Sequence, residues 1–122
     1  MKVGIVGLGL IGGSIGLKLK DLYDNIIIYG HDIDDDSVSF CLKNKIIDVK
    51  FDEEFISELD FLFLAIPVES IKKQLSDYLN KTSNKTLIID LGSTKFQICN
   101  SVESNQNRKN YLAAHPIAGT EF

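Results

Sequence analysis

MKVGIVGLGLIGGSIG, residues 1–16, is the stretch that decides the fold. The apolar run from Val3 to Val6 is typical of a strand that is buried on both faces. A glycine-rich segment follows at once, with the spacing Gly7-x-Gly9-x-x-Gly12. Apolar residues then recur at helical intervals, at Ile11, Ile15, Leu19 and Leu22. The stretch therefore predicts a strand, a tight turn and a helix, in that order.

Strand, glycine turn and helix in this order are the context in which such glycines bind a dinucleotide. Gly7 lets the chain turn sharply off the strand, Gly9 lets bare backbone approach a pyrophosphate, and Gly12 lets the helix pack closely on the strand. The amides of Leu10 and Ile11, at the positive end of the helix dipole, are predicted to face the phosphates. We assign all five residues to a cofactor site.

Two alternatives exist for this stretch: a secretory signal beginning at Lys2, and a glycine-rich turn with a purely structural role. Six glycines lie between Gly4 and Gly16, and each weakens a membrane-type helix by up to about 1 kcal/mol. The apolar stretch is also shorter than the roughly 20 residues that span a bilayer, so we expect no membrane association. The next predicted strand favours the dinucleotide hypothesis.

That second apolar run, Ile26 to Tyr29, leads to Asp32, which follows Gly12 by 20 residues. An acidic residue at about this spacing usually holds the adenosine ribose, and its carboxylate can accept hydrogen bonds from both hydroxyls. Ile33 beside it is assigned to the same cofactor site. A solvated acid at a strand end is the alternative for Asp32. The acidic run 34–36 and the lack of a nearby arginine disfavour a 2′-phosphate, so NAD is expected rather than NADP.

The acidic run 34–36 is also predicted to cap the second helix through one of its carboxylates. That helix should bury Val38, Cys41 and Leu42. Cys41 and Cys99 are far apart on predicted helices, so we expect two buried, reduced thiols in a cytoplasmic protein.

A short strand at 49–51 and a short helix at 52–59 are predicted next. The apolar run 60–66, which Pro67 ends, is typical of a central parallel strand whose carboxyl end opens onto the cofactor crevice. We therefore assign Ala65, Ile66 and Pro67 to the cofactor site. The following helix should bury one face, formed by Val68, Ile71, Leu75 and Tyr78.

The fifth apolar run, 86–91, ends in Gly92-Ser93-Thr94-Lys95. This order does not match a Walker phosphate loop. On spacing alone, Ser93 or Thr94 is predicted to cap the next helix, which runs through Phe96, Cys99 and Val102.

The last predicted strand, Tyr111 to Ala114, follows a polar run at 104–110 that is expected to be an exposed loop. His115 directly follows this strand. It is therefore expected at the carboxyl end of a sixth parallel strand, at the edge of the sheet where ligands bind. An isolated histidine is more often structural than catalytic. Imidazole is nevertheless the usual acid–base group near neutral pH, so His115 is a candidate.

The length of 122 residues is that of one domain, and 44% hydrophobic with 25% charged residues is an ordinary globular composition. The net charge of −4, without clusters of lysine or arginine, does not indicate nucleic-acid binding. No metal site is assigned. The alternation of strands and helices predicts a single α/β domain with a doubly wound parallel sheet.

Three segments together resemble the nucleotide-binding half of the prephenate dehydrogenases: GLGLIGGS (7–14), DLGSTK (90–95) and HPIAGTE (115–121). The resemblance runs through the whole chain in order, and the third segment is the most diagnostic. It implies a Rossmann fold over residues 1–122. It also implies that the all-helical domain through which the family dimerises, and which completes the substrate pocket, is absent from this chain.

The resemblance further implies oxidative decarboxylation of prephenate to 4-hydroxyphenylpyruvate in tyrosine biosynthesis, with NAD taking the hydride. His115 is then expected to accept the proton or hydrogen bond of the substrate hydroxyl. Ser93 is expected to bridge that hydroxyl, His115 and the nicotinamide, which replaces its capping role. Thr120 and Glu121 would border the substrate pocket. The full-length enzyme is expected to be a homodimer, and the chain alone to be poorly active.

Two rival functions stay open at this point. An arogenate dehydrogenase would share these motifs and differ in accepting the amino acid in place of the keto acid. An NAD(H)-sensing regulatory module would have the same fold and a similar length but no chemistry, and it would leave Ser93 and His115 without a purpose.

Overall fold

A computed structural model describes residues 1–117 and places a six-stranded, wholly parallel sheet at the centre of the molecule. The strands are β1 (Lys2–Val6), β2 (Ile27–His31), β3 (Val49–Lys50), β4 (Phe61–Leu64), β5 (Leu87–Asp90) and β6 (Tyr111–Ala113). Their order is β3-β2-β1-β4-β5-β6, which is the doubly wound Rossmann order. The predicted fold class is confirmed.

Helices cover both faces of this sheet, as parallel sheets require. They are α1 (Leu10–Leu22), α2 (Asp35–Lys43), α3 (Val68–Asn80) and α4 (Phe96–Ser101), with 3₁₀ turns at Glu53–Glu58 and Arg108–Asn110. One hydrophobic cluster joins the sheet to α1 and α2, and a second joins it to α3 and α4. Because both faces are covered, each central strand reads as a continuous apolar run.

The buried side of α1 matches the predicted apolar repeat only in part, since Ile15 and Leu19 pack against the core but the two ends of the repeat do not. Gly12 and Gly16 are its buried residues, whereas Ile11 and Leu22 are 46% and 59% exposed. A Cβ atom would lie 3.1 Å from the side chain of Ile5 in β1 if placed on Gly12, and 3.5 Å from it if placed on Gly16. The helix therefore approaches the sheet through its glycines, and this contact sets its rotation. The apolar repeat did not reveal that, because glycine carries no hydrophobic signal.

The second helix begins as predicted. The Asp34 carboxylate caps α2 by accepting hydrogen bonds from the amides of Asp36 and Ser37, each at 3.3 Å. The Ser37 hydroxyl also donates to it and is the main reason that the pKa of Asp34 lies below its usual value. Val38 and Cys41 are buried, but Leu42 is 38% exposed, so its predicted burial is wrong. Leu42 lies about 100° further around this short helix than Cys41 and belongs to neither core cluster.

Two predictions in the last quarter of the described chain are wrong. Lys95 is the N-cap residue of α4 and no side chain caps that helix, so neither Ser93 nor Thr94 has this role. The run 104–110 is not wholly an exposed loop, because Asn110 is buried and donates hydrogen bonds to the carbonyls of Ser83 and Thr86.

Both cysteines are free thiols. Cys41 is buried, which raises its thiol pKa, and Cys99 is only partly buried. Within residues 1–117, no helix combines the length and the apolar character needed to cross a membrane.

Candidate functional site

A cavity of about 270 Å³ opens at the carboxyl ends of β1, β2 and β4. This is where the chain switches from one side of the sheet to the other, the place where ligands bind in doubly wound folds. Seven of the residues assigned to a cofactor from sequence line it: Gly7, Gly9, Asp32, Ile33, Ala65, Ile66 and Pro67. The structure thus brings three separate segments of the sequence together around one space.

The turn that forms the floor of this cavity depends on the absence of side chains. Gly7 has a φ of +94°, and a Cβ atom there would lie 2.3 Å from the carbonyl oxygen of Ala65. A Cβ atom on Gly12 would lie 1.8 Å from the carbonyl oxygen of Gly7. The Gly7 amide is held by a 2.7 Å hydrogen bond to the carbonyl of His31. Strand, turn and helix are therefore in direct backbone contact.

Gly9 differs from the other two glycines because a Cβ atom there would meet nothing within 4 Å. It is the N-cap residue of α1, where no side chain accepts from the first-turn amides and no acidic residue lies in the first turn. These amides are free to bind an anion at the positive end of the helix dipole. The side chains of Leu10 and Ile11 do not line the cavity, and that of Leu10 lines a separate groove between α1 and α2, so their backbone amides are what they offer to a cofactor there.

Asp32 is held at the cavity by two backbone amides. Oδ2 accepts a 2.7 Å hydrogen bond from Leu8, and Oδ1 accepts a 2.9 Å hydrogen bond from Asp34. Each carboxylate oxygen has a second acceptor position. The side chain is thus oriented by the glycine turn and by the start of α2, and it can still accept two hydroxyl groups of a ribose.

Four further residues line the same cavity and were not predicted: Val6, His31, Ser70 and Gln74. The hydroxyl of Tyr78 donates to Oε1 of Gln74 at 2.7 Å, which leaves the –NH₂ group as the donor end of the amide. Burial raises the pKa of Tyr78 to about 12, so this hydroxyl keeps its proton. Two of these residues could have been found from the sequence. Ser70 and Gln74 are four residues apart on a predicted helix, so they lie on the same face of it.

Ser93 and His115 lie outside this cavity. Both are exposed, and each follows the carboxyl end of one of the neighbouring strands β5 and β6. A 3.0 Å hydrogen bond from the amide of Ala114 to the carbonyl of Asp90 joins the two segments. Thr120 and Glu121 lie outside the described residues.

A buried polar cluster, which sequence reasoning missed, lies beneath these two segments. We call Asp90, Lys95 and Tyr111 the Asp90 cluster. The Asp90 side chain is fully buried and accepts hydrogen bonds from the Lys95 ammonium and the Tyr111 hydroxyl. Burial, and then the hydrogen bond to Asp90, raise the pKa of Tyr111 above its ordinary value.

Comparison with known proteins identifies the family. The model of the family "Prephenate dehydrogenase, nucleotide-binding domain" matches residues 15–122. The chain belongs to this family. The predicted resemblance is thereby confirmed, and over 95% of its length the chain is 35% identical to a prephenate dehydrogenase of Bacillus subtilis (strain 168), of which it covers 32%. The chain spans about a third of the length of two curated prephenate dehydrogenases that it matches.

Solved structures of the family agree with the fold. The chain matches the Synechocystis arogenate dehydrogenase with a TM-score of 0.83 and 26% identity, over 98% of this chain and 42% of that one. It also matches the prephenate dehydrogenase of A. aeolicus in complex with hydroxyphenyl propionate and NAD⁺, with a TM-score of 0.72 and 28% identity, over 100% of this chain and 43% of that one. The chain is therefore a nucleotide-binding domain of this dehydrogenase family.

Proposed function

We propose that this chain binds NAD and forms the cofactor half of a prephenate dehydrogenase. The observation that carries the proposal is the cavity at the switch point, where the open space at Gly9 adjoins the oriented carboxylate of Asp32. A pyrophosphate fits the first-turn amides of α1, and a ribose fits Asp32. The NAD⁺ complex of the A. aeolicus relative supports this choice of ligand.

The charges around Asp32 favour NAD over NADP. Asp34, Asp35 and Asp36 follow it directly and are all exposed. The single arginine of the chain is Arg108. It lies over the ring of Tyr111 at 4.5 Å, beside β6 at the far border of the sheet from Asp32. The one lysine paired with this run, Lys50, lies 3.7 Å from Asp35 and leaves the edge with net negative charge. A ribose 2′-phosphate would therefore meet net like charge and no guanidinium partner here.

Ser93 and His115 are proposed as the catalytic residues. Bound NAD supplies the acceptor for the hydride that leaves the hydroxyl-bearing carbon of the substrate. The His115 imidazole accepts the proton of that hydroxyl, and the Ser93 hydroxyl bridges the substrate hydroxyl, His115 and the nicotinamide. A base positioned in this way contributes about 10²–10⁴-fold to the rate. We also propose that Thr120 and Glu121 border the substrate.

We propose that prephenate turnover needs more of the polypeptide than residues 1–122. Ser93 and His115 are exposed at the edge of the sheet, whereas a hydride-transfer site needs walls that position the substrate and exclude water. The relatives are about three times longer than this chain. We infer that the remainder in such proteins covers the substrate and forms a homodimer.

Titration calorimetry on residues 1–122 with NAD and NADP tests the cofactor proposal. We expect saturable binding of NAD and at least about tenfold weaker binding of NADP, the size of one lost or repelled charged contact. Well-folded protein that takes up no NAD would overturn it. The same preparation is expected to oxidise prephenate poorly or not at all, and robust turnover would contradict the need for a further segment.

A crystal structure with NAD separates the enzyme from a sensor. The enzyme requires Ser93 and His115 to face the nicotinamide end, whereas a sensor is favoured if both point away from it.

The similarity to the Synechocystis arogenate dehydrogenase keeps arogenate as a second candidate substrate. Initial rates with prephenate and with arogenate, measured on the protein at its full natural length, decide between the two.

A further inference from the structure

We propose that Asp90 is a positioning residue that fixes the Ser93 loop, residues 91–95, relative to His115. The inference rests on the proposed function for its catalytic meaning, but its structural content stands on contacts among described residues. Sequence reasoning gave Asp90 no role, because its partners are brought together only by the fold.

The side chain of Asp90 is the last of β5 and has no solvent exposure. A carboxylate in such a place must be balanced by charge and by hydrogen bonds. Its Oδ1 accepts a 2.9 Å hydrogen bond from the Gly92 amide and one from the Lys95 ammonium. These contacts are one residue before Ser93 and two residues after it, so Asp90 holds both ends of the loop that carries Ser93.

The other carboxylate oxygen faces the neighbouring strand. Oδ2 accepts a hydrogen bond from the hydroxyl of Tyr111, the first residue of β6. The backbone carbonyl of Asp90 accepts from Ala114 at 3.0 Å, directly before His115. One residue thus contacts β6 at its start and just past its end, and the segment it holds leads into His115.

Each of the two segments is closely packed on its own side of Asp90. Gly92 is buried, and a Cβ atom there would lie 2.8 Å from Ile98 and 3.1 Å from Oδ1 of Asp90. Tyr111 is fixed as well, since Arg108 lies over its ring at 4.5 Å and donates to its carbonyl at 3.1 Å. Asp90 is therefore the link between two segments that are each packed in place, and it determines their relative position.

The test compares Tyr111→Phe with Thr86→Val. Tyr111→Phe removes the hydroxyl that joins Asp90 to β6 and that also lies 3.8 Å from the Cys99 sulfur. Thr86 is equally buried at the opposite end of β5, and its hydroxyl donates to the carbonyls of Ile56 and Leu59. Each variant loses buried hydrogen bonding at one end of β5, at Asp90 for Tyr111→Phe and just before Leu87 for Thr86→Val, so both lower the melting temperature. Only Tyr111→Phe breaks the proposed link.

Amide hydrogen exchange on residues 1–122 is the first readout, because it requires no activity. We expect Tyr111→Phe to speed exchange at the amides of the Ser93 loop, Ala114 and His115, with β1 unchanged and with no such change in Thr86→Val. If the two variants show the same exchange at these amides, Asp90 contributes stability alone and the proposal is wrong. If Tyr111→Phe does not fold, Lys95→Met replaces it in the comparison with Thr86→Val. This substitution keeps most of the aliphatic side chain and removes the ammonium that binds Asp90.

Steady-state kinetics on the protein at its full natural length is the second readout. A shift in the relative position of Ser93 and His115 should lower kcat about 10- to 100-fold while the KM for NAD changes less than twofold, and Thr86→Val should leave both unchanged. A Tyr111→Phe enzyme with wild-type kcat would contradict a positioning role. If the wild-type protein itself does not oxidise prephenate, the proposed function fails, and the exchange comparison alone decides whether Asp90 couples the two segments.

Discussion

The two halves of the carboxyl edge of the sheet are built in opposite ways. Around β1, β2 and β4 the edge forms a cavity whose floor is a glycine turn, and this turn depends on the side chains that Gly7, Gly9 and Gly12 lack. At β5 and β6 the edge presents the exposed side chains Ser93 and His115 above a buried cluster. We therefore expect substitutions that add atoms to impair folding or cofactor binding in the first half, and substitutions that remove side-chain groups to impair catalysis in the second half.

The largest expected effect is on the second half. We expect His115→Asn to lower kcat for prephenate oxidation by about 10²–10⁴-fold, because the base is removed, and to leave the affinity for NAD within twofold. Kinetics on the protein at its full natural length and calorimetry on residues 1–122 provide the two measurements. A parallel loss of NAD affinity would show that the halves are not independent.

The first half should fail through folding when its closest backbone contact is filled. Gly12→Ala places a methyl group where the carbonyl oxygen of Gly7 lies at 1.8 Å, and we expect it to destabilise the fold by about 3 kcal/mol or more. Gly13→Ala is the matched control, since its nearest new contact is an ordinary 3.6 Å to the Leu8 carbonyl. Urea denaturation measures both, and equal stability of the two variants would contradict the proposed packing.

Gly9→Ala separates binding from folding in the same half. The new methyl group meets no protein atom within 4 Å, so the melting temperature should stay close to that of the wild type. The methyl group occupies the space proposed for the pyrophosphate, and we expect NAD affinity to fall at least about tenfold. Gly13→Ala should bind NAD as the wild type does. Unchanged NAD affinity in Gly9→Ala would place the cofactor elsewhere.

The smallest effect compares the two buried tyrosines, one behind each half. Burial raises the pKa of Tyr78 from 10.0 to about 12 and raises that of Tyr111 as well. Below pH 10 the tyrosine hydroxyls stay protonated in both the folded and the unfolded protein. As the pH rises above 10, they ionise first in the unfolded protein, because their pKa is lower there. Each tyrosine should therefore lower the free energy of unfolding by at most about 1.4 kcal/mol per pH unit above that point.

Urea denaturation between pH 9 and pH 11 measures this loss, at ~1 unit on either side of the ordinary tyrosine pKa. Tyr78→Phe and Tyr111→Phe should each show a shallower decline than the wild type. Identical slopes in all three proteins would indicate that neither hydroxyl is protected from ionisation.

Much of the fold could be predicted because local sequence determines it. The strand before Gly7, the spacing to Asp32 and the stop at Pro67 are features of single segments, and together they predicted the parallel sheet. The close approach of α1 at Gly12 was predicted from the glycine spacing, but the burial of Gly16 and the exposure of Ile11 and Leu22 were not, because an apolar repeat carries no signal for a contact made by glycine.

The candidate site was predictable to the extent that it follows strand ends. His115 could be placed after β6, but the residue beneath it could not be found. Asp90 and Tyr111 are 21 residues apart, and Lys95 turns inward to Asp90, which leaves α4 without the predicted serine or threonine cap. The pairing of Asp90 with Tyr111 becomes apparent only when β5 and β6 are known to be neighbours.

The strands at the two borders of the sheet are the shortest, since β3 has two residues and β6 has three. Few unpaired amide and carbonyl groups are therefore offered to another molecule, and Lys50 adds a charge on the β3 side. Short, charged borders of this kind oppose cross-chain strand pairing, the first step towards amyloid-like aggregation. The Rossmann order thus protects a largely apolar sheet by placing its two longest strands, β1 and β2, in the interior.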